Sequence, residues 1–154
     1  MELTEVVLEF DVFGTPVPQG SMRSYGRSVV PTNASRLRPW RYAVAAEAEA
    51  EMARAGIPGW QHGPVSVEVV FRMPRPKSHY RADGRLKETA PLWTWKRPDI
   101  DKLLRAVLDG MTDAGVWTDD SQVVGVQAAK YYSDGPPGAA VSAWGTRRPE
   151  WWAQ

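Results

Sequence analysis

The chain has 154 residues, 43% hydrophobic and 24% charged, with a formal net charge of +1; that length suits a single domain (1–154) with a real core. It contains no cysteine, which excludes disulfides, thiolate metal sites and a cysteine nucleophile and leaves any metal to oxygen donors or to His62 and His79. No apolar run approaches the ~20 residues that span a bilayer, and no basic start leads into an apolar segment, so a cytoplasmic protein without membrane contact is expected.

In chain order, Glu5 to Val12 mixes β-branched, aromatic and acidic residues and predicts a strand. Gly14-Thr15-Pro16-Val17-Pro18-Gln19-Gly20 breaks regular structure. Ser21 to Arg27 reads as a basic loop and Ser28 to Pro31 as a short strand. Ser35 is a candidate N-cap for a helix from about Leu37 to Ala55. There Trp40, Val44, Ala48 and Met52 form an apolar side, and Gly56 and Pro58 end it. Val65 to Met73 alternates as a strand does.

Pro74 to Pro98 is long and rich in proline, glycine and bases, with Tyr80, Trp93 and Trp95 interspersed. It reads either as a nucleic-acid contact by phosphate pairing and base stacking or as a surface loop pinned by two buried tryptophans. Asp99 to Thr112 predicts an amphipathic helix. Ile100, Leu103, Leu104, Val107, Leu108 and Met111 share one side, and Asp101, Lys102, Arg105 and Asp109 the other. Val116 to Asp120 forms a turn, and Ser121 to Tyr132 a strand with Gly125 as a bulge position. Gly135-Pro136-Pro137-Gly138 turns the chain into a final strand, Ala139 to Trp144, making a hairpin. The tail 147–154, with Trp151 and Trp152, is either disordered or at a partner contact.

The small net charge hides a segregation. Residues 21–41 carry Arg23, Arg27, Arg36, Arg38 and Arg41 and no acid, and a second basic block runs from Arg72 to Arg97. Acids concentrate beside it, from Asp99 to Asp120. A divalent cation among those acids, with the bases holding a phosphate backbone, is one reading; solvated charged loops are the other.

Side chains two apart on a helix do not face each other, so Asp99 and Asp101 share a metal only if Asp99 precedes the regular helix, which Pro98 favours. On helix logic alone the favoured reading of Asp99 is an ordinary N-cap, with Asp101 suited to the helix dipole. Asp119-Asp120 is a turn or a second source of ligands for a hard cation such as Mg²⁺. Arg105 either pairs with Asp101 one turn away or reaches a phosphate. Lys130 either faces the same site or is a solvated edge lysine.

The run Arg97-Pro98-Asp99-Ile100-Asp101, leading into Leu103-Leu104-Arg105-Ala106-Val107-Leu108-Asp109 and on through Gly115-Val116-Trp117-Thr118-Asp119-Asp120-Ser121-Gln122-Val123-Val124 to Lys130, resembles the RusA-type Holliday junction resolvases, common in phages and prophages. Gly14 to Gly20 is similar to that family's N-terminal loop. The resemblance implies a metal-dependent endodeoxyribonuclease that resolves four-way DNA junctions by paired nicks, working as a homodimer. It carries Mg²⁺ ligation (Mn²⁺ as a substitute) to Asp99, Asp101 and Asp120, with Asp119 in the motif. The best-known form has lysine where this chain has Arg105; arginine keeps the charge but is a poor proton donor or acceptor. Lys102 stands where asparagine is frequent.

The expectation is therefore one α+β domain, a mixed sheet with two main helices, forming a homodimer on branched DNA. Asp99, Asp101, Asp120 and Arg105 are the candidate catalytic residues. Arg23, Arg27, Arg75, Lys77, Lys96, Arg97, Lys102 and Lys130 are the candidate DNA-binding surface. A nuclease of flaps or forks, or a catalytically silent DNA-binding protein, is the alternative.

Overall fold

The computed structural model describes residues 5–20, 22–25, 28–31, 33–149 and 151, excepting the side chains of 22–25 and 28–31. Among them the chain runs β1 (Val7–Phe13), β2 (Met22–Tyr25), β3 (Ser28–Pro31), α1 (Ala34–Ala55), β4 (Val65–Pro74), α2 (Ile100–Asp113), β5 (Val123–Ser133) and β6 (Gly138–Gly145). Single 3₁₀ turns lie at Lys77–His79 and Asp120–Gln122. Arg27 and Trp152 lie outside the described residues, as does the side chain of Arg23.

Period-two alternation makes β4 two-faced. Val65, Val67, Val69, Phe71 and Met73 are buried, while Ser66, Glu68, Val70 and Arg72 are half-buried on the other side. Both helices add to the buried side. Leu37, Trp40, Val44 and Ala48 of α1 and Leu103, Ala106, Val107 and Met111 of α2 join the inward residues of β1, β4 and β6 in one core. Arg41 of α1 donates to both carboxylate oxygens of Asp113 on α2, at 2.5 and 2.9 Å.

The sheet order is β1-β6-β4-β5. β4 pairs antiparallel with β6 and parallel with β5, with α2 in the crossover, and β1 pairs antiparallel with β6. The sheet is thus mixed, and with two helices the architecture is α+β as the sequence predicts. The expected β5–β6 hairpin is not formed, because β4 lies between those strands. Residues 134–137 arch over its end, a gap of about 10 Å at two strand spacings. Gly138, where the arch enters β6, leaves no room for a side chain: a Cβ there would lie 2.2 Å from the Val12 carbonyl oxygen of β1. Gly125 does mark a bulge. Val65 and Ser66 pair with Val123 and Gly125, so Val124 is the extra residue.

Two further expectations are corrected. Ser35 is not the N-cap, since α1 begins at Ala34 behind Asn33. The Asn33 amide donates instead to the Pro18 carbonyl at 2.7 Å, tying the helix start to the Gly14–Gly20 loop. Trp93 and Trp95 do not pin the 74–98 segment, being 59% and 76% exposed. Its backbone does so, through Tyr132 N–H to Leu92 O at 2.9 Å and bridges pairing Trp93 with Tyr131 and Tyr80 with Leu86. No helix among the described residues is long and apolar enough to cross a membrane.

Candidate active site

Asp99 stands immediately before α2 in extended conformation (φ −70°, ψ 139°), its carbonyl accepting from Leu103 N–H at 3.1 Å. Its carboxylate caps nothing, so the N-cap reading fails for the side chain, and Asp99 lies outside the regular helix as sharing a metal with Asp101 requires. The preceding Arg97–Pro98 peptide is cis. Lys130, on the helix-facing side of β5 opposite Phe71, donates its ammonium to the carbonyls of Lys96 at 2.6 Å and Pro98 at 2.7 Å. It reaches the Asp99 end of α2 as a brace for the main chain, with two of its three donors engaged there.

The other acidic pair is built at the opposite end of α2. The Trp117 indole donates to Thr112 Oγ1 at 2.8 Å, and Trp60 N–H to the Val116 carbonyl at 2.7 Å. Asp119 accepts from Ser121 N–H at 2.8 Å, and those bonds to Ser121, main chain first, hold its carboxyl below the ordinary aspartate range. Gln122 closes the turn. Its amide oxygen accepts from Thr118 and Asp119 N–H, and its amide nitrogen donates to the carbonyls of Trp60 and Gly63. Asp119 is therefore a cap that presents Asp120. Gly59 sits under this turn at φ 83°, where a Cβ would lie 2.6 Å from the Gly115 carbonyl oxygen. Gly59→Ala is expected to lose about 2 kcal/mol or more of stability, from a left-handed non-glycine residue plus overpacking, read as a lowered urea midpoint.

The two acidic groups are far apart within one chain. A helix of 14 residues is about 21 Å long, with Asp99 and Asp101 at its start and the turn bearing Asp120 folded against its end. A second ruler agrees: β5 advances about 20 Å, at ~3.3 Å per residue, from Val123 beside Asp120 to Lys130 beneath Pro98. Accordingly, among the described residues no three His, Asp or Glu side chains are grouped to hold a metal ion. The sequence expectation of a single constellation at both ends of α2 is corrected in this respect.

What unites the three acids is that they are uncommitted. Asp11 is paired with Arg72, Asp83 with Arg85, Asp109 with Arg105 and Arg41, Asp113 with Arg41, and Asp134 with Arg75, while Asp119 caps its turn. Asp99, Asp101 and Asp120 are exposed and enter no ion pair among the described residues. Unpaired hard oxygen donors suit Mg²⁺, which keeps several waters and is commonly held by one or two carboxylates from a given site. The donor chemistry fits such an ion, although one chain does not close all three around it.

At the Asp99 end lies an open groove of about 1290 Å³, walled by the Thr15–Gln19 loop and lined by Arg36, Lys96, Arg97, Lys102 and Asp99. The loop is fixed there by Gln19 N–H to the Lys102 carbonyl at 2.9 Å. The structure thus brings Lys96, Arg97 and Lys102 together, with Lys77 exposed on its own 3₁₀ turn. Arg36 was overlooked in the sequence. It belongs to the 21–41 basic block, and only the packing of α1 turns it toward Asp99's groove.

Arg75 lines the same groove, but its guanidinium is engaged within the chain. Its side chain is 3% exposed, donating to Asp134 at 2.8 Å and to the Pro91 carbonyl at 2.6 Å over the Tyr132 ring. Arg105 pairs at 3.3 Å with Asp109, not Asp101, and its side chain remains 61% exposed.

Residues 14–142 match the family model described as endodeoxyribonuclease RusA. The uncharacterised protein YqaN of Bacillus subtilis (strain 168) is 30% identical over 133 residues, covering 84% of this chain and 90% of YqaN. The crossover junction endodeoxyribonuclease rusA of Lactococcus phage r1t is 40% identical over 47 residues, 29% of this chain and 36% of the phage protein.

Proposed function

The chain belongs to the RusA endodeoxyribonuclease family, and from that premise we propose that it is an Mg²⁺-dependent homodimer that resolves four-way DNA junctions by paired symmetric nicks. The observation that carries this reading is the residue set left without a cationic partner: among the described residues Asp99, Asp101 and Asp120 enter no ion pair, while the remaining aspartates are engaged. The crossover junction enzyme of the phage supports the substrate.

Asp99 and Asp101 of one chain, with Asp120 of a second copy, would hold the ion, since about 21 Å of helix separates these groups within a chain. When bound, a divalent cation supplies a water nucleophile at neutral pH and neutralises charge on the phosphate. The protein's own part is positioning and electrostatics. Lys96, Arg97, Lys102 and Arg36 line the groove beside Asp99 and hold backbone phosphates there, an interaction that weakens as salt rises. Arg105, exposed and shared with one carboxylate, stabilises developing negative charge but moves no proton at neutral pH. Two equivalent sites in a two-fold dimer give two nicks related by the same symmetry.

The test compares a labelled four-way junction with linear duplex of the same sequence, with and without Mg²⁺. Symmetric nicks in the junction alone, requiring the ion, are expected. Tight binding with no cutting in Mg²⁺ or Mn²⁺ would leave a DNA-binding protein. Equal cutting of duplex, or preference for flaps or forks, would remove the junction assignment.

A further inference from the structure

The basic, aromatic segment between β4 and α2 holds a second site that the aspartates do not use. Its base is rigid. The buried Arg75 guanidinium joins Asp134, the Pro91 carbonyl and the Tyr132 ring, and Lys87 N–H donates to the His79 carbonyl at 2.9 Å. On that frame lies a pocket of about 320 Å³, near the lower limit for small-ligand sites. His79 and Tyr132 line it, their rings edge-to-face with centroids 4.7 Å apart, and so do Trp95, Lys87 and Lys96. Lys96 also lines the groove that holds Asp99, so the pocket and the groove are neighbours.

Two features show what this pocket is shaped for. Trp95 is 76% exposed, and the segment is already held by its backbone and by Arg75, so the indole is not needed to fasten it. Burial, and then the charges of Arg75, Lys96 and Lys87, hold the His79 imidazole below its ordinary range, which favours its neutral form beside those cations. Neutral aromatic surfaces with lysines beside them complement a flat base carrying an anionic phosphate.

We propose that this pocket binds an unpaired nucleobase of branched DNA, stacked on Trp95 with its phosphate against Lys87 and Lys96. Taking a base out of a stack costs least where the stack is already broken, so the pocket favours DNA with an open branch point beside the groove over intact duplex. The inference rests on the nuclease reading for its substrate class, but it concerns binding and is tested without cleavage.

The test measures binding in chelator, by wild type, Trp95→Ala, Trp95→Phe and Lys87→Ala, to a four-way junction and to linear duplex. Trp95→Ala is expected to weaken junction binding about tenfold or more while leaving duplex binding and its salt dependence unchanged. Trp95→Phe should retain most of the affinity, and Lys87→Ala should lower the magnitude of the salt slope for the junction by about 1. A 2-aminopurine at the branch point should change its fluorescence with wild type and not with Trp95→Ala. Equal loss on junction and duplex, no loss on either, or a changed oligomeric state with unchanged affinity would overturn the proposal. A wild-type protein that shows the Trp95 effect but cuts nothing in Mg²⁺ would remove the nuclease reading and leave the pocket standing.

Discussion

Asp99→Asn and Asp120→Asn chains, each inactive alone, are expected to regain junction nicking when refolded together. Each substitution removes a proposed ligand and should cost more than about a hundredfold in cleavage, beyond the 10–100-fold typical of groups that only support ligands. The groups they alter stand at opposite ends of α2. If each site takes Asp99 and Asp101 from one chain and Asp120 from the other, a mixed dimer has one site with both lesions and one with neither. Random pairing then restores roughly a quarter of the sites in single-nicking form, from the two-fold arithmetic of a closed dimer. Counting nicked against fully resolved junctions reads this directly. No recovery on mixing, with both variants folded and binding DNA, would mean that the three carboxylates do not share an ion across two chains.

Lys130→Met should raise the Mg²⁺ concentration needed for half-maximal cleavage by about ten- to a hundredfold, the range for a group that orients ligands without touching the metal. Its two bonds, at 2.6 and 2.7 Å, hold the carbonyls of Lys96 and Pro98 just ahead of Asp99. Because the ammonium is already engaged, junction binding in chelator should keep its salt slope. A slope reduced by about 1 would instead mark Lys130 as a phosphate contact. Urea unfolding of the same variant separates misplacement of Asp99 from general loss of the fold.

Local periodicity was legible in the sequence, and long-range pairing was not. The alternation in Val65–Met73 and the apolar side of the 99–112 helix reflect burial of one face, which the residue pattern carries by itself. That β4 would insert between β5 and β6 depends on partners far along the chain, and a short Gly-Pro-Pro-Gly link reads as a hairpin turn whether it joins neighbours or arches over a strand. A cation's sequence neighbours do not reveal its bonding partners, so the bonds of Arg75 to Asp134 and Pro91 and of Lys130 to the Lys96 and Pro98 carbonyls could not be read from the sequence. Arg36 was passed over for the same reason. The separation of Asp120 from Asp99 was available all along: a predicted helix of some fourteen residues is itself a ruler of about 21 Å.

The sheet order also governs when the protein can finish folding. Among the described residues β1, the first strand, has β6 as its sole partner in the sheet, and β6 is the last strand. During synthesis β1 must wait, unpaired, until residues 138–145 have left the ribosome, while α1 and α2 can form as they emerge. β4 likewise gains both neighbours only then. The sheet is thus completed only once residues 138–145 emerge, and a nascent chain that stops short of them lacks the strand that would close it.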